Sequence, residues 1–354
     1  MKTGMRHEAT GKSTKNNVFG FALRTLLFAL GLFGTLLLAL SFSVDAQQPA
    51  KVYRVGRLTG GSPDDPLSKG SFEAFRQGLH ELGWIEGRNI ALEPRWTGEK
   101  PETLRALAAE LVRLRVDVIV ANGSPMIRAA NQATTTIPIV MAASGADPVA
   151  AGFVASLARP GGNITGLSLL SAALDGKRLE LLKEVVPGIR HVAVLQNPDF
   201  PEATNRWRDA EGAGKSLGVR LQAWEVRSPK EIETAFSAMD RARPKALLVF
   251  SDPSVLERHR GRIIALAVKY RLPAIYPWRS YVEEGGLMVY GPNLLDMHRR
   301  SATFVDKILK GAKSAELPVE QPRNFELVIN LKTAKQIGLT IPQTVLYRAD
   351  KVIR

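Results

Sequence analysis

Four dipeptides share one chemistry: Ser124-Pro125, Asp147-Pro148, Asn197-Pro198 and Asp252-Pro253. Each follows an apolar run, as in "IPIVMAAS" before Asp147 or "ALLVF" before Asp252. Proline suits the first position of a helix because the N–H it lacks has no partner there. A Ser, Asn or Asp just before it accepts bonds from the next free N–H groups. Such a helix start offers N–H groups and the positive end of a dipole to a carboxylate. A neighbouring Asp offers a counter-charge to an ammonium. For any single junction, plain capping worth about 1 kcal/mol is a sufficient account. Recurrence in both halves of the chain predicts more: facing rows of helix starts that form a cleft suited to a zwitterion. Tyr276, Trp278, Tyr281 and Tyr290 lie near the same edges and could wall a side chain, although core packing is the commoner fate of aromatics.

Other chemistries find little support. "GKST" at 11–14 and "GKS" at 214–216 resemble the ends of phosphate-binding loops, but Arg6 and Asp209 stand where the earlier glycine is needed. No G-x-G-x-x-G follows the first strand, and no G-x-S-x-G surrounds any serine. The five histidines, at 7, 80, 191, 259 and 298, are scattered, and His80-Glu81 lacks the second histidine of a zinc protease. There is no cysteine, which removes disulfides, thiolate metal sites and a cysteine nucleophile. The pattern implies no catalytic residue, no metal and no cofactor.

The elements that must position these junctions alternate along the chain. "KVYRVGRL" reads as a strand, and Phe72, Phe75, Leu79 and Leu82 recur at helical spacing up to Gly83. "IALEPRW", a helix through Leu104, Leu107, Leu111 and Leu114, "VDVIVAN", a helix, "IPIVMAAS" and a further short helix follow. The second half repeats the plan from "NITGLSL" through "HVAVLQ", "VRLQAWEV", "KALLVFS", "LPAIYP" and "GGLMVYG". Strands that are apolar throughout and separated by helices form parallel sheets covered on both faces. Two successions of about 120 residues predict an α/β protein of two doubly wound parallel-sheet lobes.

Composition agrees with a globular chain of 354 residues, 45% hydrophobic and 23% charged. Of the net charge of +14, the first 46 residues hold five Lys/Arg and two Asp/Glu, leaving 43 against 32. That excess is spread along amphipathic helices without interleaved aromatics, the pattern of a solvated surface; no nucleic-acid partner is expected. Lys2, Arg6, Lys12, Lys15 and Arg24 precede "TLLFALGLFGTLLLALSFSV", and small residues follow. Residues 1–46 therefore read as a secretory signal peptide cleaved after Ala46, with an uncleaved membrane anchor as the alternative. The expected location is the periplasm.

The segments "IPIVMAASGADPVAAGFVASLARPGGNITGLS", "KRLELLKEVVPGIRHVAVLQNP", "ALLVFSDPSV", "GGLMVYGPN" and "FELVINLKTAKQIGLTIPQTVLYRADKVI" resemble the ABC-transporter substrate-binding proteins of the tryptophan and tyrosine type. The resemblance covers the whole chain after the leader, in the family's order. It implies a type I periplasmic-binding fold, with three crossovers forming a hinge and a ligand held between the lobes. Residues 47–168 with 291–322 would form lobe 1, and 169–290 with 323–354 lobe 2. Transferred by position, the ligand loops are Leu58-Thr59-Gly60, Gly123-Ser124, Ala146-Asp147, Asn197, Ser251-Asp252 and Tyr276. Ser124 and the helix start after it are expected to hold a carboxylate, and Asp252, with Asp147 second, an ammonium. Thr59 and Asn197 would add hydrogen bonds. Ala146 stands where the family commonly carries Thr, and Ser251-Asp252-Pro253 where Thr-Asp-Asn is common, so the ligand's identity stays open. The implied role is a monomeric receptor that takes up an amino acid or related carboxylate and delivers it to an ABC permease. A ligand sensor of the same fold with a signalling partner in the membrane is the alternative.

Overall fold

The computed structural model describes residues 51–98, 101–169, 171–252 and 254–354. The expected signal peptide lies outside the described residues. Helices and strands alternate into two sheets. The first has five parallel strands: β1 (Tyr53–Thr59), β2 (Ile90–Trp96), β3 (Val118–Asn122), β4 (Ile139–Ser144) and β5 (Ile164–Ser168), in the order β2-β1-β3-β4-β5. Helices α1 (Pro66–Glu81), α2 (Leu104–Arg113) and α3 (Ser124–Ala133) connect its strands.

The second sheet repeats that winding. Helices α4 (Ser171–Val185), α5 (Ala203–Leu217), α6 (Pro229–Ala242), α7 (Arg260–Lys269) and α8 (Arg279–Glu283) separate β6 (His191–Gln196), β7 (Arg220–Glu225), β8 (Ala246–Val249), β9 (Ala274–Tyr276) and β10 (Met288–Pro292). Helix α9 (Leu294–Leu309) then packs against α1 of the first lobe. Beyond it the chain runs to β11 (Phe325–Asn330), α10 (Leu331–Gln336), α11 (Gln343–Leu346) and β12 (Lys351–Ile353). The order is β12-β11-β10-β9-β8-β6-β7, and β10 with β11 is the one antiparallel pair among the described strands.

The lobes exchange chain three times: between Ser168 and Ser171, between Pro292 and Leu294, and between Glu320, which bridges to Leu167, and Phe325.

Local chemistry explains how the first lobe is built. Asp65 caps α1 by accepting from the Ser68 N–H at 2.8 Å, and Pro66 opens the helix. Phe75 and Leu79 are buried on the inner face of α1. Gly78 lets α9 approach closely: a Cβ there would lie 2.4 Å from the Arg299 carbonyl oxygen. Strands β3, β4 and β5 are buried on both faces, with Val118, Ile119, Val120 and Ala121 all fully covered, while the edge strand β2 is half-buried.

The proline junctions behave less uniformly than their shared chemistry predicts. Ser124-Pro125 starts α3 directly. After Asp147-Pro148 the expected short helix does not form. The Asp147 Oδ1 accepts from Val149 and Ala150 N–H groups, and a single turn closes at Gly152 and Phe153. Three or more residues separate Asn197 and Asp252 from the helices that follow them. In those loops the polar side chain satisfies a local turn instead of a helix, which is the same capping chemistry without the propagation.

Candidate functional site

Both sheets reverse their winding beside their first strand, and the crevice beyond the carboxyl ends of the strands at that point is where open α/β sheets take ligands. In lobe 1 the switch falls between β1 and β3, whose ends are Thr59-Gly60 and Asn122-Gly123. In lobe 2 it falls between β6 and β8, whose ends lead to Asn197 and Ser251-Asp252. A cavity of about 640 Å³ is lined from both sides of this junction. Lobe 1 contributes Gly60–Ser62, Asp65, Ser68, Ser71, Asn122–Met126, Leu294 and His298. Lobe 2 contributes Phe200, Arg206, Ser251, Ser254, Glu257–Arg260 and Trp278. The volume is that of a small-molecule site.

The lobes also touch directly. Arg258 Nη2 donates to the Gly98 carbonyl at 2.6 Å, and Arg260 Nη1 lies 3.9 Å from Asp65 Oδ1. Glu202, at the start of α5, approaches the Ser124 hydroxyl, with Arg128 of lobe 1 nearby, yet neither carboxylate oxygen makes a hydrogen bond of normal geometry. Burial pushes its carboxyl above the usual carboxylate range, against the opposing pull of Ser124, its own backbone, Arg128 and Arg206.

The eight positions expected to hold ligand fall into two groups. Gly60, Gly123 and Ser124 line the cavity. Gly123, at φ 92°, precedes α3, whose first turn carries no side-chain cap. The Gly123 N–H donates to the Ala143 carbonyl at 3.0 Å, the Ile127 N–H to the Gly123 carbonyl at 3.1 Å, and Pro125 has none, which leaves the Ser124 and Met126 N–H groups without a side-chain cap. The Ser124 hydroxyl itself accepts from the Ala146 N–H at 3.0 Å and braces the neighbouring loop.

The other five stand outside the lining. Asp252 is buried and accepts from the Ser254 N–H and hydroxyl, from the Val255 and Leu256 N–H groups and from the Asn197 amide. Asn197 also donates to the Ser254 hydroxyl, so the pair ties the ends of β6 and β8 together. Asp147 is exposed and spends its carboxylate on its own turn. Tyr276 is buried and stacked on Tyr281 at 4.8 Å between centroids; desolvation raises its phenol. Thr59 is buried at the end of β1, and its hydroxyl has no partner.

Several lining residues carry no signal in local sequence pattern. Glu257 Oε1 accepts from Ser251 Oγ at 2.7 Å and from Trp278 Nε1 at 2.6 Å. Its carboxyl is raised by burial, opposed mainly by those two bonds and less by the charge of Arg206, and it forms no ion pair among the described residues. Arg206 shows its edge to the cavity from a buried network. It donates through Nε and Nη2 to Asp175, which also accepts from Arg178, and through Nη1 to the Ser251 carbonyl at 3.0 Å. Only Trp278 is visible beforehand, as one of several aromatics near a strand end. The others sit on irregular turns or on helix faces whose direction tertiary packing decides.

Among the described residues no helix is long and apolar enough to cross a membrane, and no cluster of three His, Asp or Glu is placed to hold a metal ion.

Comparison with known proteins agrees with the two-lobed fold. The profile of the family "ABC transporter substrate binding protein" matches residues 66–353. A tyrosine-binding protein of Clostridioides difficile is 26% identical over 267 residues, covering 75% of this chain and 76% of the relative. The crystal structure of a conserved domain protein from Vibrio cholerae superposes with a TM-score of 0.79 at 28% identity, over 85% of this chain and all of the other. An ABC domain from Streptococcus pneumoniae, solved in complex with L-Trp, gives a TM-score of 0.79 at 24% identity, over 86% and 100%.

Proposed function

The chain belongs to the ABC transporter substrate-binding protein family, and from that premise we propose that it captures an amino acid or related carboxylate between its lobes and delivers it to an inner-membrane permease. The observation that carries this reading is the start of α3, which opens onto the interlobe cavity with no side-chain cap. Its free N–H groups and dipole suit a carboxylate. Across the cavity, Glu257 suits an ammonium, since a cation beside it would relieve the cost of its burial. The name of the tyrosine-binding relative supports an amino acid over a sugar.

In this reading the ligand touches both lobes at once and so shifts the population toward the closed form, which the permease recognises. Cleavage after Ala46 would leave residues 47–168 with 291–322 as one lobe and 169–290 with 323–354 as the other, working as a periplasmic monomer.

The test is native mass spectrometry of the chain purified from cells, followed by a thermal-shift screen of L-amino acids, their N-acetyl forms and their amides. A ligand at about a hundred times its Kd adds roughly 2.7 kcal/mol of stability. Free amino acids should raise the melting temperature, and blocking either end should abolish the effect. A screen in which no amino acid or carboxylate shifts melting removes the proposal.

A further inference from the structure

Arg57 occupies the middle of β1, where a strand buried on both faces ordinarily carries an apolar side chain. It is 1% exposed and forms no ion pair among the described residues. Its guanidinium lies within 5.2–5.9 Å of the ring centroids of Phe72, Trp96 and Phe75, which supply cation–π attraction but no acceptor. Nη2 donates to Ser71 Oγ at 3.0 Å, and that hydroxyl donates to the Ser68 carbonyl at 2.8 Å, while Nε and Nη1 have no partner among the described residues.

Two further polar groups beside it are left the same way. Thr59 follows two residues later on the same face of β1, 2% exposed, with its hydroxyl unpartnered. His298 of α9 is 3% exposed, and its Nδ1 has no partner. Burial, and then the charge of Arg57, lower the imidazole to about 3, so it is a neutral ring beside a cation. Ser71 and His298 line the interlobe cavity, which places the cluster directly behind its lobe 1 wall.

A buried cation with two free donors needs an acceptor, and two of the residues beside it, Ser71 and His298, line the cavity. The nearest acids lining the cavity are committed elsewhere: Asp65 to its helix cap and Glu257 to Ser251 and Trp278. A positive, donor-rich recess selects an anion; a neutral or cationic ligand group would leave the guanidinium uncompensated.

We propose that Arg57, held by Ser71, forms with Thr59 and His298 a second anion subsite, so that the preferred ligand carries an acidic group, carboxylate or phosphate, in addition to the carboxylate held at α3. This rests on the cavity being a solute site, as proposed above.

The test is isothermal titration of the full chain with matched probes: L-glutamate against L-glutamine, and O-phospho-L-serine against L-serine. At least one acidic probe should bind tenfold or more tightly than its neutral partner, and the pair that discriminates tells carboxylate from phosphate. Arg57→Met keeps the length and apolar stem inside the aromatic cage and should erase the discrimination, while Arg57→Lys should retain part of it. If Arg57→Met fails to fold, His298→Phe reads the same subsite from the other side and should reduce the preference. Neutral probes that bind as well as acidic ones, or a preference that survives both variants, overturn the second subsite and leave the solute-receptor reading standing. Absence of binding by any of the four probes overturns the subsite as well, and the broader screen of amino acids then decides the receptor reading separately.

Discussion

Replacing Asp175 by alanine tests whether the lobe 2 wall depends on its buried charge network. Asp175 is fully buried; its Oδ1 accepts from Arg178 Nη1 at 2.7 Å and Arg206 Nη2 at 2.9 Å, and its Oδ2 from Arg206 Nε at 2.9 Å and Nη2 at 2.7 Å. The two guanidiniums are almost as buried, at 2% and 5% side-chain exposure, and desolvation lowers Arg178 in spite of the opposing pull of Asp175. Removing one partner of a single buried pair costs about 3–5 kcal/mol, because the other charge stays buried without compensation. Here one deletion strands two cations, which places Asp175→Ala toward the upper end, about 5 kcal/mol. That is a third or more of a typical domain's net stability of about 5–15 kcal/mol.

Urea unfolding followed by tryptophan fluorescence measures it, with the slope m checked so that a change in midpoint reads as a change in stability. The triple replacement Asp175→Leu, Arg178→Met and Arg206→Leu should recover at least half of the loss, since an apolar triad strands no charge. It will not recover ligand affinity, because the Arg206 bond to the Ser251 carbonyl shapes the cavity wall. An Asp175→Ala variant that loses less than about 1 kcal/mol at unchanged m would refute the claim that this network carries uncompensated charge once broken.

Three further outcomes are expected. Gly166→Ala should cost about 3 kcal/mol or more by calorimetry: φ is +125°, and a Cβ would lie 2.3 Å from the Met141 carbonyl oxygen and 2.6 Å from its nitrogen, backbone atoms that cannot yield. Glu202, raised by burial against lobe 1, gives the closed form more bound protons than an open form that returns the group to water. Ligand affinity should therefore strengthen as pH falls through the raised value and level off below the ordinary carboxylate range, and Glu202→Gln should flatten that dependence in titrations across pH. Arg258→Ala removes a half-exposed bond between the lobes, worth about 0.5–1.5 kcal/mol. It should raise the ligand dissociation rate by no more than about tenfold and leave association unchanged in stopped-flow measurements.

Much of the architecture is legible before folding because its causes are local. Val118–Ala121 read as a doubly buried strand from four consecutive apolar side chains, and Ser124-Pro125 marks a helix start, although the serine hydroxyl accepts from the Ala146 N–H and leaves the helix without a side-chain cap. The candidate site is legible only in part. Gly60, Gly123 and Ser124 follow from strand ends, which topology places at the cavity. Asp252 and Asn197 follow from the same rule, but their polar atoms turn toward each other and toward the next turn. A capping residue satisfies the nearest free N–H first, and sequence pattern does not reveal whether any acceptor is left over.

Alternating strands and helices, parallel sheets and the loops able to meet at a switch point are written into the order of residues, since these depend on neighbours a few positions apart. Which polar atoms remain unspent is settled by packing alone. Arg57 and His298 lie 241 positions apart and become neighbours because α9 crosses back from lobe 2 onto α1. Glu257 is raised because the chain packed around it desolvates its carboxyl more than Ser251, Trp278 and the charge of Arg206 compensate. Desolvation and partnership are properties of the packed environment, and that environment is assembled from segments distant in the chain.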